Sequence, residues 1–151
     1  MYTNLAYLGE EHEDIVNLSK PIIITAAGYY RVHTSKVIET ERPNGRGDYQ
    51  LIYISSGRAH FYFDGEEKII PKGNMVLFRP KETQMYYLYA DDKPETYWVH
   101  FSGSDVDILL DYYQMPRDEN VFFTGTSRLP MAVSTNDTGT PITASKLWGF
   151  S

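Results

Sequence analysis

From Ile22 onward the chain reads as short runs of β-branched and aromatic residues, with turn residues between them at close intervals. Ile22-Ile23-Ile24-Thr25 forms one run, and Gly28 separates it from Tyr29-Tyr30-Arg31-Val32; the polar and Gly/Pro-rich stretch from Glu39 to Asp48 reads as a loop. Tyr49 to Ile54 is then a strand, Ser56-Gly57 a turn, and Ala59, Phe61 and Phe63 the apolar face of the next strand. Asp64-Gly65 is a strong hairpin signal. Ile69-Ile70, the turn Pro71-Lys72-Gly73, Met75 to Phe78, Met85 to Tyr89 and Tyr97 to Phe101 continue the rhythm. Seven or more such strands can bury one face only by closing on themselves or on a second sheet, so the pattern predicts an antiparallel barrel or sandwich.

One segment changes period. After Ser104, read as an N-cap, the positions Val106, Leu109, Leu110 and Tyr113 fall at i, i+3, i+4 and i+7, which predicts an amphipathic helix to about Gln114, with Pro116 beyond it. Residues 1 to 20, with Glu10, Glu11, Glu13 and Asp14, read as an N-terminal arm, and residues 127–151, rich in Ser and Thr, as a C-terminal tail pinned by Trp148 and Phe150. The patterned domain spans residues 21–126.

Composition narrows the function classes. A chain of 151 residues with 42% hydrophobic and 15% aromatic residues is one domain with room for a core. No run reaches the length of a membrane span, and the start lacks the pattern of a signal peptide, so a cytoplasmic protein is expected. The absence of cysteine excludes disulfides, thiolate metal sites and a cysteine nucleophile. A net charge of −6 gives no broad positive field for phosphate, so this chain alone is expected not to bind DNA.

Small β-barrels can hold metals through a His-x-His pair with a later Glu and a distant His, but the candidate strand reads His60-Phe61-Tyr62, and neither a metal nor a cofactor is expected. No nucleophile elbow and no phosphate loop is present in the sequence. The aromatic residues are the stronger signal. Tyr86, Tyr97, Trp98 and His100 sit on what should be neighbouring strands, where ring faces can stack on sugar C–H bonds and an Arg such as Arg42 or Arg46 can satisfy adjacent hydroxyls. The same rings could equally be core filler. Alternation puts Thr96, Trp98 and His100 on one face, and Tyr97, Val99 and Phe101 on the other.

The run Glu41 to Ile54, then Gly57, Lys72-Gly73, Phe78-Arg79-Pro80 and Tyr97-Trp98-Val99-His100-Phe101-Ser102-Gly103, resembles in content and order the N-terminal sensor domain of AraC/XylS-family transcriptional regulators. The resemblance covers about residues 20 to 125. It implies a cupin-like jelly-roll barrel that binds a small effector, often a sugar, in a bacterial regulator that can homodimerise and that contacts DNA through a C-terminal helix-turn-helix domain missing from this chain. Carried over by position, Arg42, Tyr86 and Trp98 contribute to the effector pocket, with Thr96 and His100 beside them. A cupin enzyme acting on a sugar or small metabolite, which would need metal ligands, and a stand-alone carbohydrate-binding module, which would need export, are the alternatives.

Overall fold

A computed structural model describes residues 2–7, 16–32 and 35–125. Ten strands form two antiparallel sheets. The six-stranded sheet runs β1 (Tyr2–Tyr7), β2 (Ile23–Arg31), β9 (Glu95–Ser102), β4 (Tyr49–Ser56), β7 (Asn74–Phe78) and β10 (Val121–Phe123). The four-stranded sheet runs β3 (Val37–Arg42), β8 (Gln84–Tyr89), β5 (Arg58–Phe63) and β6 (Glu66–Pro71). From β2 to β9 the chain passes repeatedly from one sheet to the other, which gives the cupin-like jelly-roll arrangement.

The layers follow from period-two alternation. In β4, Ile52 and Ile54 face the other sheet and Leu51 faces outward; in β9, Trp98 faces inward while Val99 and Phe101 face outward. Both faces of this sheet are buried because α1 (Val106–Tyr112), the one α-helix among the described residues, lies on its outer side and packs Val106 and Leu110 against Leu51, Leu77, Val99 and Phe101. The Tyr49 hydroxyl donates to Asp107 Oδ1 at 2.8 Å and ties the helix to the sheet. Between the sheets lies the main core: Ala26, Ile52, Ile54, Ala59, Phe61, Ile70, Val76, Phe78, Tyr86, Leu88 and Trp98.

Four local expectations are corrected. Gly28 does not divide β2, which runs unbroken through it because its backbone pairs with both Leu5 and Trp98. The stretch from Glu39 to Arg42 is not loop but most of β3, held to β8 in continuous register. The residue preceding the helix proper is Asp105, with no side-chain cap; Ser104 Oγ instead bonds Asp105 Oδ1 at 2.8 Å. Tyr113 lies just beyond the helix and is exposed, so only the first part of its apolar stripe is buried. Part of the N-terminal arm forms β1, while the expected C-terminal tail lies outside the described residues.

The Asp64-Gly65 hairpin has positive φ at both central residues, 52° and 79°, as a type I′ turn requires. Gly57 turns at φ 65°, and there a Cβ would stand 2.2 Å from the Asp92 carbonyl oxygen and 2.4 Å from that of Lys93. Gly57→Ala must therefore both strain the backbone and move another chain segment. Gly65→Ala meets nothing within 4 Å. Urea denaturation should show Gly65→Ala costing about 1 kcal/mol and Gly57→Ala clearly more, about 2–4 kcal/mol; equal losses would contradict this packing.

Candidate ligand site between the sheets

The inter-sheet space changes character along its length. At one end Ile54, Ala59, Ile70 and Leu88 make it mainly apolar, with the buried Thr96 as register partner of Ile54. In the middle, Phe61 stacks on Tyr86 with centroids 5.1 Å apart, and Trp98 pairs in register with Ile52 on one side and Gly28 on the other. Because Gly28 has no side chain, the indole has room beside it, flanked by Tyr30 and His100 with ring centroids 5.8 and 4.9 Å away.

Toward the opposite end, where β3 finishes and β4 and β8 begin, the inward positions turn polar. Gln50 is register partner to both His100 and Phe78, and Gln84 is partner to Arg42. Gln50, Gln84, Trp98 and His100 are all buried. Five of their polar atoms, Gln50 Oε1, both amide atoms of Gln84, Trp98 Nε1 and His100 Nδ1, have no hydrogen-bond partner among the described residues. An unsatisfied buried donor or acceptor costs about 1–3 kcal/mol, so a layer of them is expected to meet ligand or ordered water.

Beside this layer lies a buried carboxylate. Asp48 is 1% exposed and is gripped by Arg46 through Nε at 2.7 Å and Nη2 at 3.2 Å. His100 Nδ1 stands 3.6 Å from Asp48 Oδ1, within ion-pair range but too long for a good hydrogen bond. Burial works to raise the Asp48 pKa, but interactions with His100 and Arg46 outweigh it and hold the carboxyl below its ordinary value. For His100 burial dominates: it pushes the imidazole below its ordinary value, and Arg46 and Arg42 push the same way, against the pull of Asp48. His100 is therefore neutral at pH 7.

Near the same end, where β5 and β8 are no longer paired beyond Phe61 and Tyr86, a cavity of about 430 Å³ is lined by Tyr62, Phe63, Asp64, Gly65, Phe78, Glu82, Thr83, Met85 and Asn120. Phe78 floors the cavity and separates it from the interior, where its ring meets Phe61 and Tyr86; Gln50, Gln84, Trp98 and His100 are not among the lining residues.

The structure places Trp98 and His100 in contact and Thr96 on the same inward face of β9, one step deeper. Tyr86 belongs to the same core as the third residue of β8, in the opposite sheet rather than on a strand neighbouring that of Trp98 and His100. Arg42 ends β3 and is exposed at the rim, on the face of its register partner Gln84, instead of lying on a crossing loop. None of these five residues lines the 430 Å³ cavity. Sequence reasoning missed Gln50, Gln84 and Asp48. For the glutamines a signal existed: each occupies an inward position of a strand whose other inward residues are apolar.

The AraC-like ligand binding domain model matches residues 35–129. The chain belongs to this family. The AraC-type domain is similar in structure to ToxT from Vibrio cholerae, with a TM-score of 0.53 at 15% identity over 82% of this chain and 52% of that one. It is also similar to YhaK from Escherichia coli, with a TM-score of 0.51 at 10% identity over 82% of this chain and 51% of that one. At these identities the likeness shows the fold, and the chain spans about half the length of both. No curated protein matches the chain. Among the described residues, no helix is long and apolar enough to cross a membrane.

The neutral state of His100 sets a pH dependence. Its folded pKa lies below the unfolded one, so its contribution is complete above about pH 6.5 and is lost as pH falls and only the unfolded chain takes the proton. His60 acts in the opposite sense. Burial lowers its pKa, but Glu67 and Asp92, each 2.7 Å from a ring nitrogen, raise it overall, and that contribution is lost as pH rises. In denaturant titrations, the stability advantage of wild type over His100→Gln should shrink between pH 7.5 and 5.5, at up to about 1.4 kcal/mol per pH unit. An advantage that grows on acidification would mean that His100 is protonated in the folded state.

Proposed function

We propose that this chain is the effector-sensing part of an AraC-type transcription regulator, binding a small molecule, best matched by a sugar, at the polar end of the inter-sheet space. The observation that carries this reading is the layer of buried, unpartnered polar atoms on Gln50, Gln84, Trp98 and His100, backed by aromatic rings. Hydroxyl groups that both donate and accept fit such a set, and Trp98 and Tyr86 supply ring faces for the sugar's C–H bonds. Arg42 at the rim closes over the ligand's outer hydroxyls and His100 completes the wall, while Thr96 lies deeper, beyond Trp98 on the same face.

The role is regulatory rather than enzymatic. His60 lies on the outer face of the four-stranded sheet, bound to Glu67 and Asp92, while His100 faces inward from the other sheet, so they do not converge on one centre. Among the described residues, no group of three His, Asp or Glu side chains is placed to hold a metal. DNA recognition belongs to a further helix-turn-helix domain, with homodimerisation as the means of reaching two half-sites. For the ligand to switch such a regulator, it must bind one disposition of the domain more tightly than another, since equal affinity shifts nothing.

A thermal-shift screen of mono- and disaccharides tests this reading. A true effector at 100 times its Kd stabilises the folded state by about 2.7 kcal/mol, a rise of several degrees for a domain of this size. Trp98→Ala should abolish the response, and Arg42→Lys should weaken binding by about 1.5–3 kcal/mol, because an ammonium cannot reproduce the guanidinium fork. A Trp98→Ala protein that binds its effector normally would remove the indole from the site.

A further inference from the structure

We infer that the site accepts an uncharged, hydrogen-bonding ligand and rejects the phosphorylated or carboxylated forms of the same molecule. The inference rests on reading the buried polar layer as the ligand site, and adds the ligand's charge class to it.

The four side chains with unpartnered buried atoms are two amides, an indole and an imidazole. The amides and the indole carry no charge at any ordinary pH, and burial holds the imidazole neutral at pH 7. The buried charge beside them is already cancelled: the Asp48 carboxylate is held by both nitrogens of the Arg46 fork. An anion placed against this layer would lose its water and meet no countercharge within the layer, a loss that neutral dipoles do not restore.

The neighbouring cavity offers an anion no better reception. The charged residues lining the 430 Å³ cavity at this end are Asp64 and Glu82. Glu82 lies 3.8 Å from Arg79 and accepts from Asn120, so it is partly neutralised; Asp64 sits at the tip of the hairpin. Arg42 is the cation on the rim nearest the layer by register, but it is exposed, where water screens its attraction. The donors and acceptors also constrain the ligand. Trp98 Nε1 only donates, Gln50 Oε1 only accepts, and Gln84 does both, so the partner needs donors and acceptors close together, as hydroxyls and amides provide. A sensor built this way reads a metabolite before a kinase or an oxidising enzyme has given it a charge.

Glycerol, glycerate and glycerol phosphate form a matched probe set, small enough to enter irrespective of the natural effector's shape. Titrated at pH 7.5 and constant ionic strength, and followed by ¹H–¹⁵N spectra of the Trp98 indole and of the Gln50 and Gln84 amides, glycerol should shift these signals in a saturable way. The two anions should bind at least tenfold more weakly. Asp48→Asn uncovers the Arg46 charge and should narrow or reverse that preference. Trp98→Phe, which keeps a ring and removes the N–H, should weaken glycerol binding without creating anion binding, and so serves if Asp48→Asn does not fold. Anions that shift the signals as strongly as glycerol would overturn the charge inference while leaving a ligand site in place. Silence toward all three probes would overturn it as well, and a sugar response in the thermal-shift screen would then place the effector elsewhere.

Discussion

Phe78 is the residue on which the polar end of this domain depends. It comes from the six-stranded sheet, yet its ring lies 6.1 Å from Phe61, 6.0 Å from Phe63 and 6.1 Å from Tyr86, all from the other sheet. A sheet buries its face only against another layer, and here that contact is an aromatic cluster, with large buried area and restricted geometry. Phe78 is fully buried, pairs in register with Gln50 and lines the cavity at the open end. The same ring thus joins the sheets, floors the cavity and sets the level at which the interior becomes polar.

Above that level the structure accepts an energetic cost that it avoids elsewhere. Gln50 and Gln84 stand in strands whose other inward residues are apolar, and apolar residues there would fill the core without leaving unpaired amides. Nearby, Asp48 is just as buried but is fully provided for by Arg46, with His100 at its side. On the reading proposed above, a domain that pairs its buried carboxylate while leaving neutral amides open is arranged for a partner that makes hydrogen bonds and carries no charge.

Much of the fold was legible in the sequence because a period of two in strands separated by Gly, Pro and Asp-Gly turns has few other solutions. The Asp64-Gly65 hairpin and the Ala59-Phe61-Phe63 face follow from local chemistry alone, whereas alternation groups Trp98 with His100 without saying whether that face meets the interior or solvent. β3 was not legible: of Glu39, Thr40, Glu41 and Arg42 only Thr40 favours a strand, and pairing with β8, including the Tyr87–Glu41 hydrogen bond, makes them extended. For the candidate site, the aromatics stand out in the sequence by type. The glutamines were passed over because an inward polar residue stands out only once register shows which face is buried, and Asp48 because its grip on Arg46 and approach to His100 depend on the folded loop.

The central claim is that the open polar atoms of Gln50, Gln84, Trp98 and His100 are contacts waiting for a ligand. The most direct measurement is a crystal structure of the domain with a sugar that stabilises it. The account predicts a molecule between the sheets with heavy atoms 2.7–3.2 Å from Trp98 Nε1 and from at least one amide of Gln50 or Gln84. The contrary result is a sugar bound elsewhere, with the two glutamines turned to satisfy one another and the space between the sheets closed and dry.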